Sequence, residues 1–245
     1  MLYRAYLDES DVQPIFAVGG FVGKAAVWDS LEPKWLASLP NGIPYFHATD
    51  CFGGHYLFEG MDIPQRVELL DKLTDLILDH EIFLVAGTIL IPTYKELAPK
   101  RLANEFGGNQ YSSAFEFAIE LACHSMDNSP FPRDLGEQCA FAMERNQYTP
   151  SAQRKFLDLQ KDEALWWRNR IGTDTYGTKT GSGAIPLLQV ADLGAFLAAK
   201  AVAKAPQAKI QWLPIFKNSQ TEDAYSASRI ATTEASELSM SFIAH

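Results

Sequence analysis

The chain of 245 residues is short of cysteine, short of positive charge and without a long uninterrupted apolar run. Its three cysteines, Cys51, Cys123 and Cys139, stand far apart and form no CxxC pair. That spacing argues against a disulfide framework or a structural zinc site and suits a reducing compartment. Lysine and arginine number 21 against 30 acids, a formal net charge of −9. Attraction to nucleic acid is therefore not a property of the whole surface, although divalent cations or a local basic face can reverse the potential at one site. The most apolar stretch, IPLLQVADLGAFLAAKAVA, is interrupted by Gln189, Asp192 and Lys200, which argues against a membrane span. The N-terminus has no basic segment followed by an apolar stretch and a cleavage site, so no signal peptide is expected. These absences lead to a cytoplasmic reading with no membrane partner.

What is present describes an ordinary globular chain, 47% hydrophobic and 21% charged. Residues 2–8 and 15–22 are rich in strand formers, with DESDVQP as the turn of an opening hairpin. AAVWDSLEPKWLASL has helical spacing, broken or started at Pro33. PYFHATDCFGGHYLFEG reads as a structured loop with room for a short strand. DIPQRVELLDKLTDLILDH is the clearest amphipathic helix, with Val67, Leu69, Leu70, Leu73, Leu76 and Ile77 as its stripe. EIFLVAGTILI reads as a strand buried on both faces. SSAFEFAIELACHSM is a helix, EQCAFAMER a strand and SAQRKFLDLQKDEALWWRN a helix. IGTDTYGTKTGSG reads as a loop and LLQVADLGAFLAAKAVA as the most apolar helix. With no repeat or linker, the expectation is one α/β domain over residues 1–245. Its core would be about 1–205, with a peripheral tail at 206–245, and its mixed sheet would be covered by helices on its faces.

Three acidic positions fit poorly with solvated surface. Asp192 shares its helical face with Leu188, Ala195 and Ala199, so its carboxylate emerges from an apolar stripe. An unpaired carboxylate there is costly, so it should meet a cation, a donor cluster or a pocket, or else cap a neighbouring loop. Asp8 and Glu9 end an apolar strand, either as a polar terminus meeting solvent or as one arm of a site, and alternation places them on opposite faces unless the strand twists or ends there. Glu144 ends CAFAMER on the face of Ala140 and Ala142. Carboxylates from two strand ends and a late helix can converge at one edge of a sheet. They cannot all ionise there without counter-charge. Oxygen-rich clusters suit hard cations, Mg²⁺ or Mn²⁺, and two such ions can serve phosphodiester cleavage.

YLDES, FAVGGFVG, FHATDCFGG and LQVADLGAF, in this order, resemble the family catalogued as domain of unknown function 3800, which in turn resembles the RNase H-like nucleases and integrases. The match spans about residues 1–200. It implies an RNase H-like fold, with Asp8 as the first-strand metal ligand, Glu9 beside it and Asp192 as the ligand from the last helix. It also implies Gln189 one turn before Asp192, and His47 with nearby Asp50 in the site. Glu144 falls where an acid ends the fourth main strand. Two departures stand out: Asp11 occupies the place of a usual glycine, and the Glu144 region carries a glutamate where aspartate is common.

The expectation is a divalent-metal-dependent phosphodiesterase or nuclease. Asp8, Glu144 and Asp192 bind the ions, Glu9 assists, and His47 orients water or moves a proton. Basic residues between Glu144 and Asp192, among them Arg145, Arg168, Arg170 and Lys179, could contact the phosphates of DNA or RNA, with Trp166 and Trp167 stacking on bases. The rival is a non-catalytic binding or regulatory protein of phage defence or a mobile element, on the same fold. A phosphotransferase of the actin-like ATPase type would need glycine-rich phosphate loops, for which GGFVG is the candidate.

Overall fold

A computed structural model of the chain describes residues 3–97, 110–127 and 137–203. The tail expected at 206–245 lies outside these residues. β1 (Tyr3–Val12) and β2 (Ile15–Lys24) form an antiparallel hairpin closed by Gln13 and Pro14. The polar DESDV run was expected to turn, but it continues as strand. The reason is the backbone: β2 supplies a full ladder, from Asp8 opposite Gly19 to Val12 opposite Ile15, whatever the side chains above and below it.

β3 (Ile82–Leu90) pairs antiparallel with β2, while β4 (Cys139–Glu144) runs parallel to β1 and β5 (Ile171–Gly177) parallel to β4. The result is a mixed five-stranded sheet in the order β3-β2-β1-β4-β5. β3 is thus an edge strand with several half-buried positions, not a strand buried on both faces. β5 replaces the expected loop over Ile171–Gly177, because its Thr and Tyr side chains suit an edge strand and β4 offers it a parallel ladder.

Helices cover both faces. α1 (Ala25–Ser38) is continuous through Pro33, held by buried Trp28, Leu31 and Trp35 along one side. In the segment expected to be loop or short strand, α2 (Ala48–Gly53) forms instead, followed by a 3-10 turn at Tyr56–Phe58. α3 (Ile63–Leu78) starts at a capping box: Asp62 accepts from Gln65 N, and the Gln65 side chain accepts from Asp62 N. Its stripe is buried at Leu69, Leu70, Leu73 and Ile77, whereas Val67 faces solvent. α4 (Ile91–Leu97) follows β3, α5 (Gln110–Asp127) spans the expected helix, and α6 (Thr149–Lys161) stops well before the tryptophans. Asp162 ends α6 early by accepting from Ala164 N, a local bond that competes with further helix. α7 (Leu188–Val202) is buried on nearly every side.

β1 divides the interior. Tyr3, Ala5 and Leu7 join the layer of α5 and α6, while Tyr6 faces α1, α3 and α7. Alternation therefore sends Asp8 toward α7 and Glu9 toward α5. α7 approaches closely because small residues meet on both sides. A Cβ on Gly194 would lie 2.7 Å from the Phe21 ring and 3.0 Å from the Gly20 Cα.

Candidate carboxylate–lysine site

The parallel ladder between β1 and β4 ends at the Leu7–Met143 pair. Just beyond it lie Asp8, in mid-strand on β1 and still paired with β2, and Glu144, the last residue of β4, so both acids stand where the parallel pairing stops. α7 packs across the same face and delivers Asp192. The three acids come from three separate elements, and the tertiary structure brings them together on one group.

That group is the Lys179 ammonium. Its Nζ lies 2.6 Å from Asp8 Oδ2, 3.0 Å from Asp192 Oδ1 and 3.1 Å from Glu144 Oε2. Asp8, Asp192 and Lys179 are 3%, 5% and 8% exposed, so the charges meet almost entirely out of water. The contact to Asp8 is a close ion pair whose angle falls outside hydrogen-bond geometry, which leaves Asp8 Oδ2 without a directional donor. Asp8 Oδ1 accepts from Glu9 N at 2.9 Å. Asp192 Oδ2 accepts from Ala48 N at the start of α2, so the loop-capping role weighed for this residue is present alongside its place in the cluster.

Electrostatics follow from burial. Loss of water holds the Asp8 carboxyl well above the usual carboxylate range; Lys179 pulls it down, and Asp192, Glu9 and Glu144 push it up further. Burial likewise raises Glu9, helped by repulsion from Glu144 and opposed by Lys179. Burial disfavours the Lys179 charge, but Asp192, Asp8 and Glu144 more than offset this and hold the ammonium above its ordinary value.

The other expected residues divide by position. His47 precedes α2, with Nδ1 2.9 Å from Asp50 Oδ2, off the N–H axis, and Nε2 3.7 Å from Asp192 Oδ1. It borders the cluster and is partly exposed. Glu9 faces the opposite layer, where Asn146 Nδ2 donates to its Oε2 at 2.6 Å. Arg145 is exposed and donates to the Tyr176 carbonyl. Arg168 and Arg170 precede β5, whose first residue pairs with Cys139 at the start of β4. They stand at the end of the sheet away from Glu144, and Arg168 faces Glu163 at 3.8 Å. Of the four basic residues expected to contact substrate, Lys179 alone joins the carboxylates.

Sequence reasoning missed that role, and it missed what Gln189 does. Gln189 Oε1 accepts from Trp35 Nε1 at 3.2 Å and from Phe46 N at 2.8 Å, and its Nε2 donates to the Lys179 carbonyl at 3.2 Å. One buried amide thereby ties α1, the His47 loop and the Lys179 loop to α7. A usable signal was present for the lysine: it is the sole basic residue between Arg170 and Lys200, set in a loop just before the helix carrying Asp192.

Whether a divalent ion suits these residues is a question of donors and spacing. Three carboxylate oxygens from rigid elements converge on one point, and Asp8 Oδ2 lacks a directional partner, which is the chemistry a hard cation requires. The present spacing is set by an ammonium and exceeds the roughly 2.0–2.1 Å that Mg²⁺ demands. Accordingly, among the described residues no group of three or more His, Cys, Asp or Glu side chains is arranged to hold a metal ion as it stands. The donors are of the oxygen type a hard cation takes, and the Lys179 ammonium occupies the point on which they converge. Among the described residues no helix is long and apolar enough to cross a membrane. No family model, no curated protein and no solved structure matches the chain.

Proposed function

We propose that the chain is a divalent-metal-dependent phosphodiesterase, with nucleic acid as the substrate class to test first. The observation that carries this reading is the meeting of Asp8, Glu144 and Asp192 at one buried cationic centre, just past the end of the β1–β4 ladder. Asp8, Glu144 and Asp192 would hold Mg²⁺ or Mn²⁺. Held there, such an ion would supply Lewis acidity and a lowered pKa for water. His47, with Nδ1 2.9 Å from Asp50 Oδ2 and Nε2 3.7 Å from Asp192 Oδ1, would orient water or move a proton. Glu9 assists from behind, its backbone N–H donating to Asp8 Oδ1 and so orienting that carboxylate. The mixed sheet, antiparallel through its opening hairpin and parallel beyond β1, supports the RNase H-like resemblance.

The test is a scan of single- and double-stranded DNA and RNA with Mg²⁺ or Mn²⁺. Cleavage is expected from the parent chain, with Asp8→Asn and Asp192→Asn each lowering the rate by at least about a hundredfold. Variants that cleave like the parent would remove the site from consideration. One observation favours the rival reading, a binding or regulatory protein without turnover: Lys179 already neutralises part of the cluster. That reading predicts no Mn²⁺ binding by calorimetry at millimolar concentration.

A further inference from the structure

The way Lys179 is held indicates how it can leave. Building on the metal-dependent reading above, we infer that Lys179 is the resting counter-ion of this site, and that a divalent cation enters by replacing its ammonium while the Lys179 backbone stays in place.

Three observations carry this. One positive charge faces three carboxylates, so the cluster retains an excess of negative charge that a divalent ion would match more closely. The ammonium also satisfies the cluster incompletely, since Asp8 Oδ2 is buried without a donor in hydrogen-bond geometry. The second observation concerns the main chain. Gln189 Nε2 holds the Lys179 carbonyl, and Ile185 N donates to the Thr178 carbonyl at 2.8 Å. A parallel bridge between Thr178 and Ala184 closes the loop. Gln189 is itself anchored by Trp35 and Phe46, so the loop resists moving as a body. What remains free to turn is the four-carbon lysine stem, a flexible point-charge carrier. The third observation is a route. The Glu144 and His47 side chains are 25% and 35% exposed, which opens the cluster to solvent on their side.

The same arrangement would suppress metal affinity. A cation that binds only when Lys179 is out appears weaker by the fraction of time the lysine is in. If the lysine is in place nine times in ten or more, its removal should tighten Mn²⁺ binding at least about tenfold. The experiment is calorimetric titration of Mn²⁺ into the full chain and into Lys179→Met. Tenfold tighter binding by the variant supports the exchange. Equal or weaker binding by a folded variant, with the parent itself binding, overturns the exchange and leaves the metal-dependent reading standing. Absence of binding by both proteins overturns both.

Because Lys179→Met leaves three carboxylates without their cation and can fail to fold, a second measurement uses the parent chain alone. Acylation of Lys179 by an amine-reactive reagent, read by mass spectrometry, should be slow in metal-free buffer and rise severalfold when Mn²⁺ displaces the side chain into solvent. Labelling that stays flat or falls while calorimetry registers bound Mn²⁺ would overturn the exchange.

Discussion

Asp8, two residues past Tyr6 on β1, is 3% exposed on the face packed by α7. Its placement has a consequence for stability. The folded carboxyl is held well above its usual range by burial, with neighbouring acids adding to the shift. A raised value means the folded state binds the proton more tightly, so the group's favourable contribution is complete below an unfolded pKa of about 4 and is lost as pH rises through the folded value. At neutral pH the buried Asp8 carboxyl therefore opposes folding. Asp8→Asn should melt higher than the parent at pH 7 in metal-free buffer, and the gain should vanish toward pH 4. Thermal melts across that range check it; a gain independent of pH would mean the charge is not the cause. Lys179 was harder to read, because its side chain reaches the acids from a loop whose path depends on Gln189, a residue ten positions later on another element.

Elements were legible where periodicity alone decides them. The helix at 63–78 and the apolar helix at 188–202 follow directly from their patterns. β5 was not legible, since a short polar strand is indistinguishable from a loop until β4 is known to lie beside it. The same holds for the DESDV half of β1, whose strand character comes from β2. The position of Asp192 depends on how closely α7 can approach the sheet, and that depends on Gly194. Gly194→Ala gains helix propensity of about 1 kcal/mol. Against this, the new methyl would press on the Phe21 ring and on the Gly20 backbone, and overpacking of this kind costs about 1–3 kcal/mol. A ring can turn but a Cα in mid-sheet cannot, so the overpacking term should win. Chemical denaturation should show the variant less stable by about 1 kcal/mol, and Mn²⁺ affinity should fall with the displaced carboxylate. A variant more stable than the parent would show that the helix tolerates the shift.

At the scale of the molecule, β1 and β2 are shared by two apolar layers, one under α5 and α6 and the other under α1, α3 and α7. Each layer contains buried cysteine: Cys123 and Cys139 in the first, Cys51 in the second, where burial pushes the Cys51 thiol up to about 12. A structure in which neither layer survives without the shared strands should unfold as one unit. The three thiols should therefore resist a thiol reagent in the native state and become reactive at one common denaturant midpoint. Separate midpoints for Cys51 and for the other two would instead divide the chain into two units. Alternation, helical period and the cost of burying charge act locally, so the α/β class, the opening hairpin, the amphipathic helices and the need of Asp192 for a partner follow from the sequence. Which partner it has, and that Asp8 shares it, comes from the tertiary structure. Lys179 meets Asp8, Glu144 and Asp192 through side chains from four segments, and where four segments intersect depends on strand order, on helix–sheet spacing and on one buried glutamine, none of which is a local property of the chain.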